Sequence, residues 1–288
     1  MLKLATPSYT NANVLNLCEQ GIRNTNHLHE RFHACHEALR ELGEEYLSCA
    51  EQEDLYTLNV FPAGVAPEPT VVGTLTRIEC AKIYKNYFVK DKKPARIVYD
   101  SLLAAAAGKC PYCCGIGNPS NLDHYLPKMH YPQFSVLPLN LVPACRDCNM
   151  GSKGNTYAKT KGTQVLHPYF DGNCYTTDQW LFAKYIAGTH ANPPVIDYTV
   201  IPPEHWNNDQ KNRVETHFNT FNLRLRFSEV ASSCLDDYLS QIKSLHHDSG
   251  DFEGSKKIII QPIIDRVSIV NHWKRAMCLA LLEELTPF

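Results

Sequence analysis

Two Cys-x2-Cys pairs, Cys110–Cys113 and Cys145–Cys148, constrain this chain more than any other feature of its sequence. Thiolates in two such pairs can close a tetrahedron around one Zn²⁺ ion, with Zn–S distances of ~2.3 Å. The 31 residues that separate Cys113 from Cys145 exceed the roughly 15–20 residues of a simple zinc ribbon. The spacing therefore predicts a structural zinc site with a further element inserted between its two halves. Cys114 is an alternative ligand, although the Cys-Pro-Tyr-Cys spacing favours Cys113.

The other cysteines are scattered along the chain, and they do not form the dense pattern of a disulfide-rich secreted domain. The first residues, MLKLATPSYTNANVLN, lack the long apolar run and the cleavage site of a signal peptide. No stretch approaches the ~18 consecutive apolar residues of a membrane span. We therefore expect a cytoplasmic protein with no membrane partner, whose isolated cysteines are reduced.

The net charge of −2 hides a strong asymmetry along the chain. Residues 75–163 carry 13 Lys and Arg against 5 Asp and Glu, whereas the remaining sequence is acidic. A basic segment around the cysteine pairs is what binding to a phosphate backbone requires. A cluster of this kind can also be an ordinary solvated face, so the charge alone does not decide the function.

Apolar residues recur at three- and four-residue steps in several parts of the chain, which predicts a largely helical protein. The Pro-rich segment FPAGVAPEPTVVG reads as a loop, and NPPVIDYTVIPPE contains a short strand-like stretch. The predicted helical stretches are 12–57, 76–107, 227–245 and 267–285.

The insertion between the cysteine pairs carries an adjacent acid and histidine, Asp123 and His124. Imidazole titrates near neutral pH and suits a general base, and a carboxylate is a hard oxygen ligand for Mg²⁺. Neighbouring side chains of a regular strand point to opposite faces, so we expect the backbone to bend here if both residues serve one site.

The segments LDHYLPK and LNLVPACRDCNMGSKG, set within the two cysteine pairs, resemble HNH nucleases of the ββα-metal fold in their zinc-bound form. The flanking segments IVYDS, LHPYFD and WLFAK are similar to a bacterial subfamily of such proteins. The resemblance covers about half of the chain. It implies an α+β protein, mostly helical, with an HNH nuclease domain in residues 75–175 between helical regions in residues 1–74 and 176–288.

The resemblance also implies a role for each matching residue. His124 is the expected general base, and Asp123 and Asn149 are the expected protein ligands of a catalytic Mg²⁺ or Mn²⁺ ion. Asn140 is expected to hold the loop and to orient the histidine through hydrogen bonds. Asn149 stands where the family often has histidine, and its harder amide oxygen favours Mg²⁺ or Mn²⁺ over softer ions. Because Asn149 directly follows Cys148, the structural zinc is expected to fix the start of the catalytic helix.

Three basic residues of the motif are candidates for contact with phosphate: Lys128, Lys153 and, less strongly, Arg146. The implied activity is hydrolysis of phosphodiester bonds in nucleic acid, with DNA as the expected substrate and 5′-phosphate and 3′-hydroxyl ends as products. Similar proteins act in bacterial defence against phage, sometimes beside an ATPase subunit, so such a subunit is an expected partner.

Two other interpretations remain open. A zinc-stabilised module that binds nucleic acid without cleaving it would keep the cysteines and the basic segment but would not need Asp123, His124 and Asn149. A second pattern, His29-Glu30-x-x-His33, matches the H-E-x-x-H motif of zinc metalloproteases. The charged residue between Glu30 and His33 and the short preceding sequence count against that reading.

Overall fold

The computed structural model describes residues 1–61 and 70–287. The chain divides into two compact units, Leu2–Asp171 and Gly172–Phe288. In both units most of the regular structure is helical and the strands form small antiparallel pairs, which confirms the mostly helical α+β class. The Pro-rich segment predicted as a loop falls largely on residues 62–69, which lie outside the described residues, and its residues Thr70–Val72 form a strand instead.

The first unit contains five α-helices and four strands among its described residues. Its helices are α1 (Asn11–Gln20), α2 (His27–Ala34), α3 (His36–Glu51), α4 (Arg77–Ile83) and α5 (Arg96–Ala104). Its strands are β1 (Thr70–Val72), β2 (Leu75–Thr76), β3 (Asn121–His124) and β4 (Leu141–Ala144), paired as β1–β2 and β3–β4.

The helical stretch predicted for residues 12–57 is interrupted twice and ends at Glu51, ahead of a short 3-10 turn at Leu55–Thr57. Helix α1 begins with a capping box on Thr10 and ends at Gly21, and the side chain of Asn26 caps the start of α2. Cys35 then ends α2 and directly precedes α3. The predicted stretch 76–107 is also interrupted: a π-helical turn, Tyr84–Phe88, continues α4, and residues 89–95 then separate it from α5. Apolar periodicity continues across such breaks, so it predicted helix correctly and missed where the helices end.

The helices of the first unit share one hydrophobic core with the β3–β4 hairpin. Buried residues of the hairpin, Leu122 and Leu141, pack with residues of α1 to α5 that include Val14, Phe32 and Val98. The strands pair in register, with Asp123 opposite Val142 and His124 opposite Leu141. A π-helical turn, Asp147–Lys153, follows β4 after two residues. The helical core is therefore the platform that holds the hairpin and the residues on it.

The second unit builds helices around a hairpin of its own. Its strands β5 (Leu181–Ile186) and β6 (Val195–Val200) pair in antiparallel register, which confirms the strand expected in the second Pro-rich region. The helices are α6 (Cys174–Thr177), α7 (Asn208–Thr220), α8 (Leu223–Ser249), α9 (Phe252–Arg266) and α10 (Trp273–Glu284). The helix predicted at 227–245 is confirmed and is longer, whereas the one predicted at 267–285 begins only at Trp273.

The side chain of Asn271 fixes the entry into β5. Its Oδ1 accepts hydrogen bonds from the backbone of Trp180 and Leu181, and its Nδ2 donates to the carbonyl of Asp178. Among the helices of the described residues, none is both long and apolar enough to cross a membrane.

Candidate functional site

The four predicted zinc ligands come together in the first unit. The Sγ atoms of Cys110, Cys113, Cys145 and Cys148 all lie within 4.8 Å of one another, and all four residues are buried. Cys114 is buried too, but its sulfur is not part of this group. The structure therefore agrees with Cys113 as the ligand in the first pair.

The separations between the sulfurs fit a tetrahedral metal ion. Zn–S bonds of ~2.3 Å place the sulfurs of a regular tetrahedron ~3.8 Å apart, and Cys113 Sγ lies 4.0 Å from Cys145 Sγ. Hydrogen bonding by the Cys110 and Cys113 thiols holds the pKa of the Cys145 thiol well below its usual range. A buried group of four sulfurs with these distances can bind a metal ion such as zinc.

Backbone conformation shapes the first cysteine turn. The amide of Gly115 donates to the carbonyl of Cys110 at 2.9 Å, and the amide of Cys110 donates to the carbonyl of Gly117 at 2.9 Å. Gly115 has a φ of +83°, a conformation that glycine adopts without steric cost. Gly117 is needed for a different reason, because a Cβ atom there would lie 2.6 Å from Cys145 Sγ.

Asp123 is buried on β3 with two polar partners. Its Oδ2 accepts a hydrogen bond from the Tyr112 hydroxyl at 3.0 Å and lies 3.0 Å from the ammonium nitrogen of Lys153. The same ammonium group donates to the backbone carbonyl of His124 at 2.7 Å. Lys153, which the sequence suggests as a phosphate contact, is only 3% exposed and neutralises this carboxylate.

His124 is buried among a different set of groups. Its Nε2 donates to the carbonyl of Ser135 at 2.9 Å, and its ring packs edge-on against Tyr84 at 4.5 Å between centroids. Burial, reinforced by the nearby Lys128 ammonium, lowers the pKa of His124 to about 3. The imidazole is therefore neutral at pH 7, and the bond to Ser135 leaves the lone pair on Nδ1.

The strand stays regular through both residues of the pair. Asp123 and His124 remain in register with β4, and the chain bends immediately afterwards, at residues 125 and 126. The two side chains accordingly have separate partners, and Lys153 joins them by contacting the side chain of one and the backbone of the other. The bend that the sequence predicts thus follows the pair instead of separating its members.

Asn140 anchors the loop that follows His124. It is fully buried, its Oδ1 accepts from the amide of Leu126 at 2.7 Å, and its Nδ2 donates to the carbonyls of Leu126 and Phe134 at 3.0 and 3.2 Å. These bonds fix both ends of the segment that leads to Ser135, the residue whose carbonyl orients the His124 ring. Asn140 thus acts on the histidine through the loop.

The other predicted site residues lie around this centre. The Asn149 amide nitrogen donates to Oδ1 of Asn121 at 2.7 Å, which ties the π-helical turn to the start of β3. Lys128 is exposed and holds its ammonium group 4.6 Å from the centre of the Tyr84 ring. Arg146 is exposed in the second cysteine turn.

Several residues that the sequence did not single out support the site. The Tyr46 hydroxyl, on α3, donates to Oδ1 of Asn140 at 3.2 Å and lies 3.2 Å from Nε2 of His167. Because the backbone amide of Tyr169 donates to Nδ1 of His167, that ring presents its proton at Nε2, toward Tyr46. Tyr112, Tyr84 and Ser135 complete the group. Tyr112 and His167 carried a local signal, because Tyr112 stands inside the first cysteine pair and His167 lies in the segment LHPYFD.

Comparison with known proteins places the chain among relatives. It is 35% identical over 297 residues to protein ea31 of Escherichia phage lambda, a match that covers 99% of this chain and 98% of the relative. A shorter match, 36% identical over 75 residues, is to the Septu protein PtuB of Bacillus thuringiensis, and covers 25% of this chain and 28% of that protein. No protein-family model and no solved structure matches. Because the lambda protein is matched over nearly its whole length at this identity, the chain belongs to the family of phage lambda protein ea31.

Proposed function

We propose that this chain is a metal-dependent endonuclease of the HNH type that hydrolyses phosphodiester bonds in DNA. The observation that carries the proposal is the placement of Asp123 and His124 on a hairpin whose next element begins at the four-cysteine cluster and bears Asn149. Two antiparallel strands followed by a helical turn are the order of elements expected of a ββα-metal core. The basic segment around them suits a polyanionic substrate.

We assign zinc to the four cysteines as a structural ion. The buried thiol groups supply the soft ligands that Zn²⁺ takes, and their separations suit a tetrahedral ion with no open position. Such an ion can contribute roughly 10 kcal/mol or more to folding. Since Cys148 precedes Asn149 directly, the ion also sets where the π-helical turn starts.

The donors for a catalytic ion are of the right chemical type. Asp123 offers carboxylate oxygens and Asn149 an amide oxygen, which are hard ligands suited to Mg²⁺ or Mn²⁺. The buried Asp123 carboxylate already pairs with one cation, the ammonium group of Lys153. When bound, a divalent ion at these residues would supply positive charge to the scissile phosphate.

His124 would take the proton of the attacking water at Nδ1. Its ring is neutral at pH 7 because burial lowers its pKa, and its orientation is fixed by the Nε2 bond to Ser135. The attacking oxygen then forms its bond to phosphorus as the bond to the 3′ oxygen breaks. The departing 3′ oxygen takes a proton from solvent water, which leaves a 5′-phosphate and a 3′-hydroxyl. Lys128, exposed beside the Tyr84 ring, and the exposed Arg146 would contact backbone phosphates.

Cleavage of plasmid DNA in the presence of Mg²⁺ or Mn²⁺ tests the proposal, with the wild type compared with His124→Ala and the control His205→Ala. His205 is exposed in the second unit, so its replacement leaves cleavage unchanged. We expect loss of at least about 100-fold in rate for His124→Ala, as for removal of a general base, with zinc content retained. Equal activity of His124→Ala and the wild type would refute the base. Tight DNA binding with no cleavage of duplex DNA, single-stranded DNA or RNA would instead identify a non-catalytic binding module.

We also propose that the nuclease works in bacterial defence against phage, beside an ATPase subunit. The resemblance of the motif suggests this setting, and the partial match to the Septu protein PtuB supports it. Affinity purification of the full chain from its native host tests the partnership. Full activity of the isolated chain, together with the absence of a co-purifying ATPase, would contradict it.

A further inference from the structure

Three helices of the first unit bring a carboxylate and histidines together at a place remote in sequence from the cysteine motif. Glu19 lies near the end of α1, His33 in the last turn of α2, and His36 at the first position of α3. One ligand atom from each of these residues lies within 4.8 Å of the others. His29 is a turn before His33 on α2, and its Nε2 is 3.4 Å from Oε1 of Glu19.

The nearest ring nitrogens of the three histidines all face the Glu19 carboxylate. Nδ1 of His33 lies 2.8 Å from Oε1 of Glu19, and Nε2 of His36 lies 3.6 Å from Oε2. The second distance is longer than a hydrogen bond. Nε2 of His36 is buried and, among the described residues, makes no hydrogen bond. Nε2 of His36 therefore faces the Glu19 carboxylate without a hydrogen bond to it. This arrangement is expected if both residues are ligands of a cation that lies between them.

The surroundings favour metal binding over an ion pair. The side chains of His36 and Glu19 are only 13% and 17% exposed, so a cation held between them would be largely shielded from water. A cleft of about 310 Å³ adjoins the cluster and is lined by His33, His36, Glu37 and Arg40 among others. The Arg40 charge is itself paired with Glu37.

We propose that Glu19, His33 and His36 form a further metal site, separate from the four-cysteine cluster and from Asp123 and Asn149, which binds a borderline divalent cation such as Zn²⁺. Two imidazoles and one carboxylate are a common ligand set for Zn²⁺, and three protein ligands leave a position open toward the cleft. His29 is placed to strengthen the site from the same helix face. Bound metal would fasten α1 to the corner at Cys35 where α2 meets α3. The site is independent of the proposed nuclease function.

This arrangement also gives a different meaning to the H-E-x-x-H pattern. In the metalloprotease motif the glutamate between the two histidines acts as the base. Here that residue, Glu30, is exposed, and the carboxylate that meets the histidines is Glu19, from another helix. The H-E-x-x-H pattern therefore places two histidines of α2 beside Glu19 of α1. This favours a metal-binding site between helices.

Calorimetric titration of Zn²⁺ into the full-length protein tests the site, after its zinc content has been measured by elemental analysis. We expect the purified protein to hold one zinc in the four-cysteine cluster and to bind one further equivalent, with a rise in melting temperature. His33→Ala, a change at a side chain that is 69% exposed, should weaken the second equivalent by at least about 10-fold. Glu19→Gln should do the same.

The matched control is His27→Ala, because His27 is exposed on the same helix but outside the cluster. It should bind both equivalents with the affinity of the wild type. A wild-type protein that binds no zinc beyond the four-cysteine equivalent would overturn the proposal. Unchanged affinity in both His33→Ala and Glu19→Gln would overturn it equally, whatever the nuclease assay shows.

Discussion

The ammonium nitrogen of Lys153 lies 3.0 Å from Oδ2 of Asp123, and both side chains are almost completely buried. Two charges taken out of water in this way depend on each other, because removal of one leaves the other unpaired in a low-dielectric surrounding. The pair also connects the last residue of the π-helical turn to β3, and so locks the second half of the motif onto the first.

Replacement of Lys153 should therefore be costly for the fold. We expect Lys153→Met to lower the free energy of unfolding by about 3–5 kcal/mol, because the Asp123 carboxylate would stay buried without its counter-charge. Denaturant titration measures the change. Lys159→Met, at an exposed position in the same segment, should stay within about 0.5 kcal/mol of the wild type. If both variants change the free energy of unfolding by similarly small amounts, the buried ion pair is not needed for stability.

Removal of the Tyr46 hydroxyl should loosen the loop that carries Ser135. Tyr46→Phe deletes the hydrogen bond to Asn140 and leaves the Nε2 proton of His167 without this acceptor, at a cost of about 1–3 kcal/mol. Thermal unfolding gives the stability, and the cleavage assay should show a lower rate. Tyr56→Phe serves as the control at a half-buried tyrosine. If the two variants behave alike, the hydroxyl has no special part in the site.

A methyl group at position 117 should disrupt the metal cluster. In Gly117→Ala the new Cβ would lie 2.6 Å from Cys145 Sγ, so either that sulfur or the first cysteine turn must move. We expect loss of zinc, measured by elemental analysis, and a lower melting temperature. Gly151→Ala is the matched control, since a Cβ there meets nothing within 4 Å. Full zinc content in Gly117→Ala would contradict the packing described for this turn.

Cys113 and the adjacent Cys114 should differ in whether zinc binding needs them. Cys113→Ser, like Cys145→Ser, should lose the zinc and with it much of the folding free energy. Cys114→Ser should keep one zinc, because its sulfur is outside the cluster. Elemental analysis of the three purified variants decides the matter, and loss of zinc from Cys114→Ser alone would reverse the ligand assignment.

Burial of a neutral His124 should make the protein sensitive to acid. The pKa of His124 is about 3 in the folded chain and ~6.5 when unfolded, so the unfolded state alone binds this proton between those values. The stability from this residue is complete above about pH 6.5 and falls with decreasing pH, by up to roughly 1.4 kcal/mol per unit, until about pH 3. Unfolding free energies at a series of pH values should decline less steeply for His124→Gln than for the wild type. Parallel slopes would contradict the lowered pKa.

The four-cysteine cluster was predictable because the chemistry of a tetrahedral ion leaves a short, regular spacing in the sequence. The residues that support Asp123 and His124 from other parts of the fold have no such regular spacing in the sequence. Tyr46 and Asn140 are 94 positions apart, and neither a period nor a motif links a tyrosine on an N-terminal helix to an amide in the hairpin. The break at Cys35 was equally hidden, since no glycine or proline marks it and the apolar period runs through it. Burial of Lys153 likewise depends on which face of the turn meets β3, which sequence spacing does not give.

The hydroxyl of Tyr46 has a consequence for how relatives should be compared. The cysteine motif, taken as an isolated fragment, would lack the helix that supplies this hydroxyl, so the smallest autonomous piece has to begin ahead of α3. Among homologous chains we expect the residues at positions 46 and 140 to covary, so that a chain that changes one of them also changes the other. A chimera that joins the motif to foreign N-terminal helices would need that pair restored before any other contact.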